Sequence, residues 1–409
     1  MWHLVDSNKT AIVLLEVPLN TTNISLSDEP WAALFRKCLC GPNRPFVQLS
    51  CSPMSRPRVL GTQLLVFIRH QFLGCVRSVE SAYHRLGFVG EKCAVAVRLT
   101  LADRTRLSLV NCHLTPHKEN LVDRIKDYRA LSSKLKFPSS AGTVISDDYV
   151  FWLGDLNFRV DFYSAQEAVR IAERTSSHSL QTLLDNDQLS RCRRTGEAFH
   201  EFEESEILFP PSYRFLLQSS SYDLKRVPSW CDRILYRVHE VIGANQLRPA
   251  NCLRCEVNRY DSAPELTHSD HKPVVALCTV MLGSRGRVTD WSVEFELPKS
   301  IAWLAAQENI CTYRFRDPSF QPSVWDWVGL YREKFESDVE DLVTWMYRFS
   351  CWHNEEDERI ENLTFKQQYV KETGIFCLGY FSKERNCLIG LSGRFEILSA
   401  QLDSAAEAH

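Results

Sequence analysis

A chain of 409 residues, 44% of them hydrophobic, carries enough apolar material for a sizeable core, so disorder is excluded as the default and two domains fit the length. The formal charge of −3 excludes whole-molecule attraction to nucleic acid, and any anion site has to be a local group of Lys and Arg. The 15 cysteines are odd in number and often lie inside apolar runs, as at Cys93, Cys112, Cys278 and Cys377, which suits reduced thiols in a cytoplasmic compartment better than a disulfide framework.

Asn8 to Val17 reads as a buried strand that ends at Glu16. Its apolar part, Ala11 to Leu15, is too short for a signal sequence or a membrane span. A mixed helix or loop region runs to about Leu39. Gln63 to Arg69, Cys75 to Ser81, Lys92 to Thr100 and Arg106 to Leu114 then read as strands at hairpin-like distances, an antiparallel sheet. From Lys118 to Leu135 the apolar residues Leu121, Ile125, Tyr128 and Leu131 recur every three or four positions, which predicts a helix. Tyr149 to Leu153 is a continuous apolar run that predicts a fully buried strand, broken at Gly154. Val160 to Arg174 and Ser179 to Phe202 read as helical, and strands return at 230–238 and 272–282. Two packed sheets flanked by helices, an α+β arrangement, account for this order.

Gly283 to Arg287 concentrates Gly, Ser and charge and reads as a linker, which places a first domain at 1–283 and a second at 284–400. The second contains short strand-like runs at Trp291–Phe295, Val324–Tyr331, Ile375–Tyr380 and Phe395–Leu398, the pattern of an all-β, immunoglobulin-like sandwich. With its own aromatic set of Trp291, Trp325, Trp327, Tyr331 and Tyr380, it is expected to fold by itself. Residues 401–409 read as a frayed tail. Cys252 and Cys255 form a single CxxC, which is more readily a chance spacing than a zinc site.

Three predicted strands begin or end in polar residues. Gly154-Asp155-Leu156-Asn157-Phe158-Arg159 follows the first; if the extended geometry continues, Asp155, Asn157 and Arg159 share one face. Pro228-Ser229-Trp230-Cys231-Asp232-Arg233 precedes the second and Ser269-Asp270-His271-Lys272-Pro273 the third. Singly, each has a bland reading as a turn, a capping Asp or a loop His. Together they form a carboxylate-rich, His-containing set suited to metal-assisted hydrolysis.

In this order, LGDLNFR, LFPPSYRF (Leu208 to Phe215), PSWCDRILYR and SDHKPV resemble the inositol polyphosphate 5-phosphatases, a branch of the endonuclease/exonuclease/phosphatase superfamily with a DNase I-like four-layer sandwich. The C-terminal part, with Trp325-Asp326-Trp327-Val328-Gly329-Leu330-Tyr331, is similar to the SKICH domain that follows the catalytic domain in the skeletal-muscle- and kidney-enriched inositol phosphatase and its relatives. The resemblance implies Mg²⁺-dependent removal of the 5-phosphate from phosphoinositides such as PtdIns(4,5)P2 and PtdIns(3,4,5)P3, or from soluble inositol polyphosphates. It also implies protein partners for the SKICH-like domain and peripheral recruitment to the plasma membrane or endoplasmic reticulum.

Residue by residue, it makes Asp155 the base that orients or deprotonates the attacking water, and Asn157 the holder of that water or of the phosphate. His271, oriented by Asp232, supports the phosphoryl oxygens, and His113 touches phosphate. Glu16 and Asp270 lie at the metal. Lys92, Arg159, Tyr213, Arg214, Lys225, Arg226 and Arg233 become candidate substrate contacts. Four features depart from the pattern: Leu15 precedes Glu16 where relatives carry Gln, Leu224 stands where relatives carry Lys, Gly90-Glu91-Lys92-Cys93-Ala94 replaces a glycine-rich stretch, and 1–9 holds no equivalent of the family's first Trp-Asn strand. Weakened catalysis is the expectation, the alternative being an impaired relative that acts as a phosphoinositide- or protein-binding module.

Overall fold

The computed structural model describes residues 2–4, 12–16, 30–41, 44–49, 58–59, 62–86, 92–102, 104–174, 176–239, 253–282, 291–297, 303–317, 320–339, 341–353, 357 and 359–399. The linker reading at 283–287, the altered stretch at 90–91, Cys252 and the tail therefore lie outside the described residues. The chain divides into two compact units, one of 1–32, 54–67 and 80–285, the other of 33–53, 68–79 and 286–409.

A five-stranded sheet, all but 76–79 of it in the first unit, runs in the order Asp232–Val238, Tyr149–Asp155, Arg106–His113, Lys92–Leu101, Val76–Leu86. Arg106–His113 and Tyr149–Asp155 are parallel, while Lys92–Leu101 and Asp232–Val238 join them antiparallel. Tyr149–Asp155 is buried throughout, as its unbroken apolar run requires. A second sheet holds Ile12–Glu16 between Trp2–Leu4, a short strand that the sequence pattern does not announce, and Thr62–Gln63. Ile12–Glu16 packs on the two parallel strands of the first sheet, which gives the two-sheet arrangement. Cys255–Ser262 is a further strand, paired antiparallel with Val274–Val280; its residues are mostly polar and half-exposed, so it carried no apolar signal.

Helices cover one face of the five-stranded sheet. Ile125, Tyr128 and Leu131 of helix Leu121–Lys134 join Val110, Cys112, Trp152, Leu235 and Phe199 in one core cluster. The long helical spans read from sequence are shorter than expected. Ala165–Ala172, Ser177–Leu184 and Gln188–Thr195 each start at a side-chain cap, Ser164, Ser176 and Asp187 respectively, and the last ends at left-handed Gly196. These caps divide what the apolar spacing alone joins.

Gly154 is fixed by sterics. It has φ +122°, and a Cβ there would lie 2.1 Å from the Cys112 carbonyl oxygen and 2.6 Å from Asn111 Oδ1. Gly154→Ala is expected to lower stability by roughly 2–4 kcal/mol, read as a shift of the urea midpoint; an unchanged midpoint would contradict the close approach.

The second unit is all-β. One sheet is ordered Val293–Glu296, Asn309–Phe315, Ile360–Phe365, Trp352–His353; the other Trp303–Leu304, Phe395–Leu398, Gly374–Ser382, Trp327–Arg332, Leu342–Tyr347, with Cys387–Leu391 also on Gly374–Ser382. Tyr313, Phe315 and Tyr380 pack edge to face in its core. This unit is not assembled from the C-terminal residues alone. Gln48 N donates to the Glu336 carbonyl at 2.8 Å, Val79 N donates to the Arg385 carbonyl at 2.9 Å, and the His70 ring meets Phe335 at 5.1 Å. Two segments from the first half of the sequence therefore complete it.

Candidate active site

Ladder register builds the centre of the site. His113 is the residue opposite Asp155 on the parallel strand, and Asp232 is opposite Asp155 on the antiparallel one. Residues opposite each other in a sheet point to the same face, so the three side chains stand in one row. Asp155 and Asp232 are buried and His113 is half-exposed. Asp155 Oδ2 lies 3.4 Å from His113 Nε2, the nitrogen that accepts from Lys92 Nζ at 2.6 Å.

His271 joins the row from the loop between Cys255–Ser262 and Val274–Val280. Its Nδ1 donates to Asp232 Oδ2 at 2.9 Å, an oxygen that also accepts from Ser212 Oγ at 2.8 Å. Burial by itself disfavours the imidazolium, but Asp232, with Asp155 and Asp270 behind it, pushes the His271 pKa up to about 10. The ring is thus a cation at neutral pH, aimed by a fixed carboxylate. Its other neighbour is Tyr213, whose ring lies 4.5 Å away between centroids.

Asp155, Asn157 and Arg159 do come together, but not along a continuing strand. The strand ends at Asp155, and Asn157 takes φ +56°, a left-handed conformation that Asn tolerates. Its backbone N–H donates to Asp155 Oδ1 at 3.0 Å, and its Nδ2 donates to the Leu114 carbonyl at 3.1 Å. Arg159 donates through Nε to the Asn157 carbonyl at 3.1 Å and through Nη2 to Asn157 Oδ1, and its guanidinium lies 4.4 Å from the Tyr213 ring centroid. A buried turn, not a pleat, therefore gathers the acceptor, the amide and the cation, and Arg159 directs donors to Asn157.

Arg214 Nε sits 3.3 Å from both Asp223 Oδ2 and Asp270 Oδ2. Lys225 and Arg226 are exposed in a turn closed by Asp223, with Lys225 N donating to Asp223 Oδ1 at 3.0 Å. Leu224 is exposed in the same turn. Arg233 is the clear misplacement. Next to Asp232 on a strand, it faces the opposite side, fully buried, with Nη1 on Asp187 at 2.9 Å and Nε and Nη2 on Glu204 at 2.6 Å. It is a core ion-pair residue and is not brought to the row.

Sequence reasoning passed over Ser212, Gln188 and Arg124. Gln188, buried, accepts from Arg159 N at 3.0 Å and from Arg124 Nη2 at 2.5 Å. The Asp187–Gln188 start of a helix is a local signal; its pairing with a loop some thirty positions away is not.

For a metal, the described residues hold no group of three His, Cys, Asp or Glu side chains set to bind one. Mg²⁺ does not require such a group, since it takes one or two carboxylates together with waters and substrate oxygens. Glu16 ends the strand that packs on the row-bearing sheet and is opposite Thr62, whose buried Oγ1 has no hydrogen-bond partner among the described residues. Carboxylate oxygens are hard donors, the type a hard divalent cation takes.

The profile of endonuclease/exonuclease/phosphatase family 2 matches residues 7–277, and that of the SKICH domain matches residues 293–397. The chain is 32% identical over 395 residues to phosphatidylinositol 4,5-bisphosphate 5-phosphatase A of Rattus norvegicus, covering 94% of this chain and 37% of that protein. It therefore spans little more than a third of that relative. To inositol polyphosphate 5-phosphatase K of Mus musculus it is 29% identical over 387 residues, covering 90% of this chain and 78% of the relative. Among solved structures, the inositol polyphosphate 5-phosphatase domain of SPsynaptojanin, in complex with inositol (1,4)-bisphosphate and calcium ion, aligns with TM-score 0.51 and 29% identity over 64% of this chain and 74% of that one. With two thirds of its residues inside the first profile and the row of His113, Asp155 and Asp232 at its centre, the chain belongs to the endonuclease/exonuclease/phosphatase family, in its inositol polyphosphate 5-phosphatase branch, and carries a SKICH domain.

Proposed function

We propose that the chain hydrolyses the 5-phosphate of phosphoinositides such as PtdIns(4,5)P2 and PtdIns(3,4,5)P3, or of soluble inositol polyphosphates, with the help of Mg²⁺. The observation that carries this reading is the register-built row with an imidazolium beside it. Asp155 is an ionised acceptor able to take a proton from water, and Asn157 fixes the turn at which that water is held. His271, kept charged by Asp232, meets the charge that develops on the phosphoryl oxygens, and His113 with Lys92 flanks the other side. Glu16 and Asp270 would hold Mg²⁺, which supplies further neutralisation of the phosphoryl group. Tyr213, Arg214, Lys225 and Arg226 supply contacts for the neighbouring phosphates, and Arg159 acts mainly by holding Asn157.

The exposure of Leu208, Leu216, Leu217 and Leu224 on the segments that carry Tyr213 and Arg214 supports peripheral contact with a lipid surface. No helix among the described residues is long and apolar enough to cross a membrane. In the second unit the exposed rings of Trp325, Tyr347 and Phe349 pack on one another, which supports recruitment of protein partners.

The test is phosphate release from PtdIns(4,5)P2 in mixed micelles, with inositol 1,4,5-trisphosphate as the soluble comparison, in Mg²⁺ and in EDTA. Release from position 5 that EDTA stops is the expected outcome. A folded chain that releases no phosphate from either substrate would overturn the reading in favour of a binding module.

A further inference from the structure

Behind the row lies a cation that the proposed chemistry does not yet use. Arg124, on helix Leu121–Lys134, has no exposed surface. Its Nη1 donates to the carbonyls of Thr115 at 3.1 Å and His117 at 2.5 Å, and its Nη2 to the Lys118 carbonyl at 3.3 Å and Gln188 Oε1 at 2.5 Å. Its Nε has no hydrogen-bond partner, and no carboxylate pairs with it, among the described residues. Main-chain dipoles solvate the charge without cancelling it. A guanidinium buried without a counter-ion is a costly arrangement, and fixed carbonyls recover only part of the lost hydration.

The ionisable groups that act most strongly on Arg124 are Arg159, Cys231, Asp155 and Cys192. Burial, then the Arg159 charge, pull its pKa down to about 10, which leaves it cationic at neutral pH. Burial keeps both thiols neutral, with Cys231 pushed well above its usual range and Cys192 up to about 11. Asp155 is then the only formal anion among these four, and it also serves Arg159 and His271. A covalent and hydrogen-bonded path leads from this cation to the row. Arg124 holds Gln188 Oε1, the same oxygen accepts Arg159 N, Arg159 holds Asn157, and Asn157 N holds Asp155.

We propose that Arg124 is a positioning residue for phosphoryl transfer: its uncompensated buried charge is completed by the anionic phosphoryl group, and through Gln188 it keeps Arg159 and Asn157 set against Asp155. The inference rests on the phosphatase reading above. An electrostatic contribution made from behind the reacting atoms needs no contact with them, because the low-dielectric interior screens it little.

The experiment compares the full chain with Arg124→Met and Arg124→Lys, normalised to folded protein by near-ultraviolet circular dichroism. It measures steady-state turnover of PtdIns(4,5)P2 in mixed micelles with Mg²⁺ and, separately, the rise in Tm that inorganic phosphate produces. Arg124→Met is expected to lower kcat roughly 10²-fold with KM within about threefold, and Arg124→Lys to recover about tenfold of that loss. The phosphate-induced rise in Tm is expected to vanish in Arg124→Met and to persist in Arg124→Lys. Equal impairment of the two variants, or a lower Tm with unchanged kcat per folded molecule, would make Arg124 a packing residue and overturn the proposal. If Arg124→Met does not fold, Arg124→Gln takes its place under the same criteria. A wild-type chain without turnover strikes the phosphatase reading instead, and the phosphate shifts of wild type and Arg124→Met still decide the role of Arg124.

Discussion

Asp155→Asn is expected to reduce turnover of PtdIns(4,5)P2 by roughly 10³-fold or more per folded molecule. Asparagine keeps the shape and the acceptor that holds Asn157 N, but it cannot take a proton and no longer offers a charge to His271, Arg159 or Arg124. Alanine would be a poorer probe. It would leave the buried Asn157 N–H without its acceptor, a defect of about 1–3 kcal/mol that mixes folding with chemistry. Turnover within about tenfold of wild type, measured on folded protein, would remove Asp155 from the role of base.

The second large effect concerns folding. Residues 286–409 expressed alone are expected to show no single cooperative thermal transition, although the whole chain does. The fragment lacks 33–53 and 68–79, so the Glu336 and Arg385 carbonyls lose the N–H groups of Gln48 and Val79, and Phe335 loses the His70 ring. Each lost hydrogen bond removes about 0.5–1.5 kcal/mol, and without the buried Val47, Leu49, Leu73 and Val76 the apolar surface they cover opens to water, so the losses together approach the stability of a small domain. A fragment that melts cooperatively near the midpoint of the whole chain would show those segments to be dispensable.

The parts of the fold that were legible in the sequence were those encoded locally. Tyr149–Asp155 announces itself by an apolar run, and Leu121–Lys134 by the spacing of Leu121, Ile125, Tyr128 and Leu131. Cys255–Ser262 was missed because a polar, half-exposed strand has no apolar contrast to read. The contribution of 33–53 and 68–79 to the second unit is a long-range fact with no local mark. In the candidate site the same division holds. Asp155, Asp232 and His271 stood out at the ends of apolar strands or in the loop beside one, whereas His113 entered through the family resemblance. Arg233 was misplaced because alternation along a strand sends neighbours to opposite faces. Arg124 looked like one more charge on an amphipathic helix, since its significance depends on Gln188, 64 positions away.

The row of His113, Asp155 and Asp232 also bears on how this site can change over generations. Its alignment depends on ladder register, and register moves only in whole residues: one residue gained or lost within Tyr149–Asp155 would turn Asp155 toward the helices and bring an apolar neighbour to the place where water must be activated. No gradual path along the strand leads from one arrangement to another. Insertions and deletions are therefore expected to survive in the connections, such as 208–231 and 263–273, where added length does not invert a face. Single-residue deletions scanned through 149–155 should all be silent in a phosphatase screen, whereas many in 216–222 should pass it.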